Sequence, residues 1–381
     1  MNGEKISLVD TFLDNHGELI APHRHVCYTV ETNLFLGVRM FDQSVKRVGW
    51  ACKYLHPVQS LSRRKLDEIQ KPLNTRGTTL QWLSRQPKFV AVQRMTDIMR
   101  HNIDSFMNIM KFVATEPPER RMVRLSSDCL PMYTHEDWKW FWQQPDIRDY
   151  CERHFAEVGE LAREHDIRLS MHPGQFCVLG SDRPDVVQRS IEEFEYHVDM
   201  IRWMGFGKEF QDFKCNVHIS CRLGPDGVRD AFKKLSPEAK NVITIENDEN
   251  RWGLDHSLEL SDICALVVDV HHYWCREGDY LKLHDPRVQQ VIDSWRGARP
   301  TMHYSLSREN IIGNFTNGRP DMQTLNESGL TKSKLRAHSN MMWSPCVNMY
   351  VRDFWEYFDV MVEAKNKNLA SKQLHEEFKV A

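Results

Sequence analysis

The stretch RLSMHPGQF, residues 168–176, starts as an alternating strand and ends in a histidine, a Pro-Gly break and a glutamine beside a bare aromatic. Pro173-Gly174 stops regular structure, so His172 sits where a strand gives way to a loop. The same motif of strand followed by polar ligand type recurs along the chain. The β-rich runs are VKRVGWAC (45–52), RMVRLSS (121–127), DIRLSMH (166–172), KCNVHIS (214–220), NVITIEN (241–247), ALVVDVHH (265–272), RPTMHYS (299–305) and FDVMVEA (358–364). Helical patterns lie between them, among them MTDIMRHNIDSFMNIMKFVATE (95–116), RDYCERHF (148–155), PDVVQRSIEEFEYHVDMIRWMG (184–205) and DPRVQQVIDSW (285–295). Pro184 and Asp185 make a helix start, and Gly205 a helix stop.

Alternation of strand and helix argues for parallel βαβ units. Eight candidate strands favour a closed (β/α)8 TIM barrel, an α/β fold, over an open doubly wound sheet. No Gly-rich phosphate loop follows the first strand, so no nucleotide cofactor is expected. Residues 1–44 lack periodicity and read as an N-terminal extension ahead of a barrel domain at 45–381. The polar segment 305–340 reads as a long insertion after the seventh strand, a loop over the barrel mouth.

Composition narrows the class. The chain has 381 residues, 41% of them hydrophobic, which is enough for a large core. Its opening is too polar for a secretory signal, and no apolar run approaches the ~18 residues of a membrane span. The ten cysteines are scattered without a CxxC pair and read as reduced core thiols. A cytoplasmic protein, or a nuclear one in a eukaryote, is expected. The net charge of −3 argues against a globally basic nucleic-acid binder and leaves room for a local basic groove. Eighteen histidines are the first compositional hint of function.

Those histidines fall in a pattern. His172 ends the third strand, His218 the fourth, Glu246 the fifth, Asp269 and His272 the sixth, His303 the seventh and Glu363 the eighth. A barrel builds its active site at that face from different strands, and imidazoles with carboxylates are ligands for Zn²⁺ or Mn²⁺. Each residue has an ordinary alternative. Asp269 could cap a helix, Glu246 could cap a turn, and a lone histidine is usually just hydrogen-bonded, as expected of His101, His197 and His375. The coincidence of five successive strand ends favours metal. More donors than one ion needs imply a cluster, with a carboxylate such as Glu246 able to bridge two cations.

LSMHPGQF, RPDVVQRSIEEFEYH, ITIEND, DVHH, MHYS and DVMVEAKNK, supported by RVGWAC, TTLQWL and RMVRLSSD, together resemble the UV damage endonuclease family over about residues 45 to 370. The family belongs to a barrel superfamily shared with abasic-site endonucleases and xylose isomerases. The resemblance implies two to three divalent ions, Mn²⁺ or Zn²⁺, and incision of double-stranded DNA immediately 5′ to a cyclobutane dimer, (6-4) photoproduct or abasic site. It implies that His172, His218 and Glu246 hold one ion, and Glu246, Asp269, His303 and Glu363 a second. His272 and His338, the latter in RAHSN, would hold a third. Glu246 and Glu363 become the catalytic carboxylates, and Gln175, Phe176 and Trp50 the residues that meet DNA. The family's lysine two residues before the seventh-strand histidine is Thr301 here, and its probing tyrosine is Phe176.

Two rivals follow from the same residues. One is a metal-dependent sugar isomerase on the same barrel, and the other a non-catalytic damaged-DNA-binding protein with structural ions. A monomer without membrane contact is expected in each case.

Overall fold

The computed structural model describes residues 41–312 and 318–380. The expected extension 1–44 therefore lies outside the described residues, except for its last four. Eight parallel strands follow in order: β1 (Val48–Ala51), β2 (Met122–Arg124), β3 (Arg168–Met171), β4 (Lys214–His218), β5 (Ile243–Glu246), β6 (Ala265–Val267), β7 (Thr301–Tyr304) and β8 (Asp359–Val362). All eight expected strands are present, each shorter than its expected run.

The pairing order is β6-β5-β4-β3-β2-β1-β8-β7. The remaining seam, between β6 and β7, closes just past β6, where Asp269 bridges His303 and the His303 amide donates to Val268 O at 3.0 Å. The sheet is thus a TIM barrel, and its last seam runs through two expected ligands.

Period-two alternation sorts each strand. Leu169, Met171, Cys215, Val217, Ile243, Ile245, Leu266, Met302, Val360 and Val362 belong to the main apolar core between sheet and helices. The alternate positions line the interior, where Arg168 meets Asp359, Asn216 meets Glu246 and Lys214 meets His303. Helix Lys88–Ala114 buries a stripe including Ala91, Met95, Ile98, Met99, Ile103, Phe106 and Met110, the spacing of one helical face. Helix Pro184–Trp203 starts on its proline, and Gly205 follows with φ +83°, as the sequence predicts. Gly159 is dictated by packing, because a Cβ there would lie 1.8 Å from Met204 O.

The insertion after β7 departs from a plain loop. It contains the short helices Glu309–Ile312, Met322–Glu327 and Lys332–Leu335. Ile312, Leu325 and Leu335 form a small satellite core with Trp274 and Cys275, enough apolar surface to order turns that a polar average conceals. The nine cysteines among the described residues are unbonded. No described helix is long and apolar enough to cross a membrane.

Candidate metal centre at the barrel mouth

The carboxyl ends of β3 to β8 bring seven of the eight expected donors together. His172, His218 and Glu246 form one group, Glu246, Asp269 and His272 a second, and Asp269, His303 and Glu363 a third. Within each group one ligand atom per residue lies within 4.8 Å of the others. Glu246, fully buried, is the hub. Its Oε2 is 3.0 Å from His303 Nδ1, 3.7 Å from His172 Nε2 and 4.0 Å from His218 Nε2, while Oε1 is 3.3 Å from His272 Nδ1. Glu363 Oε1 lies 3.3 Å from His303 Nδ1 and is bonded by Arg124 Nη1.

Asp269 caps a helix with one oxygen and leaves the other uncommitted. Its Oδ1 accepts from the amides of His271 and His272 at 2.7 and 2.8 Å, capping helix Val270–Glu277. Its Oδ2 has no hydrogen-bond partner. Glu246 Oε1 and His303 Nδ1 are unpartnered in the same way. Three buried polar atoms without a well-formed hydrogen bond, on residues of one donor cluster, are costly unless something else satisfies them. A divalent cation fits that donor set of imidazoles and carboxylates.

The charges are tuned by burial and by one another. Burial pushes the Glu246 carboxyl up, but the facing His303 and His218 rings outweigh it and hold the group well below the usual range. Burial likewise opposes ionisation of Glu363, and Arg124 reverses it. Asp269 is pushed up to about 7, first by burial and then by Glu246 and Glu363 against the pull of His272. Burial lowers the His172 ring and brings His303 to about 4, leaving both neutral and able to coordinate. His272 is buried yet held well above its ordinary value by Asp269 and Glu246.

His338 stands outside the three groups. Its ring faces His271 at a centroid distance of 6.2 Å, and its backbone bridges Ser307. Trp50 requires a correction: it is 1% exposed and packed in the main core, because its strand position points away from the barrel interior and under the helices. It offers no surface to DNA. Phe176 is the opposite, 84% exposed. With Gln175 it lines a cavity of about 1100 Å³ that also includes Ser127, whose hydroxyl bonds His172 O. No metal donor lines that cavity, so it adjoins the cluster without containing it.

Several supporting residues are not evident from the sequence. Asn216 Nδ2 bonds Glu246 Oε2 and is itself held by Thr244. Asn247 exchanges two hydrogen bonds with the backbone of Asp269, at 2.8 and 3.0 Å. Glu249 Oε2 lies 3.8 Å from His272 Nε2. Burial disfavours its charge, but His272 prevails and brings it to about 2. Where the resemblance leads to an expected lysine, Thr301 has a buried hydroxyl with no partner. A lysine amine arrives from β4 instead, with Lys214 Nζ 2.8 Å from His303 Nε2. Positions 214 and 216 share a strand face with His218, and that period-two signal could have found them.

Comparisons with known proteins identify the family. The family model described as UV-endonuclease UvdE matches residues 60–380. A UV DNA damage endonuclease of Bacillus velezensis is 25% identical over 268 residues, covering 67% of this chain and 74% of that protein. A UV-damage endonuclease of Schizosaccharomyces pombe is 25% identical over 346 residues, covering 82% of this chain and 52% of that protein. The crystal structure of SacUVDE superposes with a TM-score of 0.62 at 22% identity, covering 88% of this chain and 97% of that one, which supports the same fold. With a buried carboxylate hub at the mouth of a TIM barrel and a family match across most of its length, the chain belongs to the UV-endonuclease UvdE family.

Proposed function

We propose that the chain is a metal-dependent DNA repair endonuclease that nicks the phosphodiester immediately 5′ to UV photoproducts, with abasic sites as a further substrate. The carrying observation is the set of unpartnered buried atoms on Glu246, Asp269 and His303, a donor set poised for cations at the active face of a barrel. Bound there, divalent ions, Mn²⁺ or Zn²⁺, would supply a lowered water pKa and positive charge for the scissile phosphate. Glu246 would bridge two sites, and Glu363, anchored by Arg124, would complete the second. His172 and His218 would hold the outer ion. His272 and His338 would provide a weaker third position, since His338 lies outside the compact groups.

Gln175 and Phe176 project where damaged DNA would lie. Photoproducts stack poorly, so local opening costs less than in intact duplex. An exposed ring could fill the vacated stack while the amide meets base edges. The exposure of Phe176 disfavours a role in packing its loop onto the barrel. The test is nucleotide-resolution mapping of nicks on irradiated and unirradiated duplex. Cuts 5′ to dipyrimidines in the irradiated strand alone are expected. Gln175→Ala/Phe176→Ala should weaken incision of damaged duplex by roughly 5- to 150-fold, the equivalent of one lost base stack of about 1–3 kcal/mol, while metal content stays normal. Sugar conversion without nicking, or binding without nicking, would replace the proposal with one of its rivals.

A further inference from the structure

The crossover between β1 and β2 carries charge out of proportion to the rest of the chain. From Lys53 to Arg100 it holds ten lysines and arginines against three acidic residues, a net +7 in a chain whose total is −3. Arg63, Arg64, Lys65, Arg76, Arg85 and Lys88 are all exposed. Among the described residues, only Arg64 of these six has a carboxylate within ion-pair distance, that of Glu68.

This arm is not built as core. Helix Arg63–Gln70 buries none of its side chains, and neither does the turn Lys71–Leu73 that follows. Its two apolar residues, Leu66 and Ile69, are left unburied, so packing of an apolar face contributes little to ordering it. Polar tethers hold the segment instead. Asn74 accepts from Tyr54 N at 2.8 Å and donates to Tyr54 O at 2.9 Å, and Asn102 makes the same pair of bonds with Arg76. The first turn of Arg63–Gln70 is Arg-Arg-Lys with no acidic residue. Three cations crowd the positive end of a helix dipole, an arrangement that an anion would relieve.

Its placement points the charge toward the candidate site. The chain enters the arm from the carboxyl end of β1, and helix Lys88–Ala114 must start near that face because it descends to feed β2. Lys53 and Thr75–Thr78 line the same cavity as Gly174–Val178. The arm is therefore continuous with the loop that presents Gln175 and Phe176. Trp82 and Phe89 stand exposed beside Arg85 and Lys88.

We propose that this arm docks the sugar-phosphate backbone of undamaged duplex flanking the lesion, anchoring the protein while the Gln175–Phe176 loop probes the damaged step. The inference rests on the proposed DNA substrate and adds a surface separate from the metal donors. A run of exposed, mostly unpaired cations matches the closely spaced phosphates of a duplex, and phosphate contacts fix register without reading sequence.

The experiment measures binding to undamaged and irradiated duplex as a function of KCl, for the native chain and for Arg63→Gln/Arg64→Gln/Lys65→Gln and Arg85→Gln/Lys88→Gln. Each phosphate deprived of its protein cation should lower the slope of log affinity against log salt by about 0.9. The triple variant should therefore lose about 2 to 3 in slope and at least about tenfold in affinity at moderate salt, on both duplexes alike. In incision the loss should fall on KM more than on kcat, with metal content unchanged. Arg63→Lys/Arg64→Lys should keep the native slope, because charge and not side-chain shape is what counts. If native protein nicks lesions while both neutralised variants keep its slope, the arm is overturned and the proposed function stands. If native protein binds duplex steeply, the variants lose slope, and no lesion is nicked, the arm stands and the proposed function falls. Native protein that neither binds nor nicks overturns both.

Discussion

At the floor of the barrel, Asp359 accepts from Arg47 N and Arg299 Nε through one oxygen, each at 2.8 Å, and from Arg168 Nη1 through the other at 2.5 Å. At the mouth, Glu246 Oε1, Asp269 Oδ2 and His303 Nδ1 make no hydrogen bond of good geometry, although Glu246 and Glu363 oxygens lie 3.0 and 3.3 Å from that imidazole nitrogen. Both layers are buried, and both take charged residues from alternate strand positions. The difference is that the floor satisfies its carboxylate within the protein, while the mouth holds several unsatisfied atoms at coordination spacing. Burying charge is costly unless it is paired. The floor therefore reads as structural polarity, and the mouth as polarity kept open for something from outside. The same division runs through TIM barrels generally, with stability at one face and chemistry at the other.

Substitutions sharpen that contrast in order of effect. Glu246→Gln should reduce incision by more than about 100-fold, beyond the 10- to 100-fold typical of losing an outer-shell partner. Its unfolding free energy without metal should change little, since Asn216 still has an oxygen to bond. Asp359→Ala should do the reverse. It should cost about 3–5 kcal/mol of stability by leaving buried arginines without their partner, with ordinary metal affinity in the folded protein. Urea denaturation alongside metal titration measures both. Equal stability losses at the two positions would erase the distinction.

Asp269→Asn is a finer cut. Asparagine still caps helix Val270–Glu277, so stability should hold within about 0.5 kcal/mol, yet the charge of Oδ2 is gone and metal affinity should drop. Asp269→Ala should lose the cap as well, at about 1 kcal/mol.

Much of this is legible in the strand pattern. Eight β-rich runs and the ligand types at the ends of the third to eighth are local signals, and they are enough to pick out His172, His218, Glu246, Asp269, His303 and Glu363. Residues beneath the ligands are less visible, because Lys214, Asn216 and Arg124 look like ordinary polar residues until the barrel closes and brings strands β2, β4, β5, β7 and β8 around one axis. Trp50 misleads for a related reason: strand parity decides whether a side chain meets the interior or the helices, and an aromatic suits both environments. The helices of the insertion are hidden because its average polarity masks Ile312, Leu325 and Leu335.

The weaker effects concern protons and counts. Without metal, Asp269 is pushed up to about 7, so it is largely protonated below that pH. A cation needs it as an anion and needs His272, held well above its ordinary value, as a neutral ring, so Mn²⁺ affinity should rise as pH climbs through 7 and continue to rise above it, with proton release on binding. Calorimetry in buffers of different ionisation enthalpy checks the sign, and affinity independent of pH from about 5 to 8 would contradict it. His338 stands apart from the compact groups and Thr301 provides no lysine. Elemental analysis after dialysis should therefore find fewer than three tightly held ions, with a further one appearing only at high added metal. Three ions retained straight from purification would remove the distinction between inner and outer positions.

The most direct measurement is incision of UV-irradiated duplex by protein stripped of metal and verified as such, before and after Mn²⁺ is returned. A mouth kept open for cations predicts no nicking without metal, recovery on titration, and no recovery in Glu246→Gln at the same metal concentration. Full incision by the verified metal-free protein would contradict it.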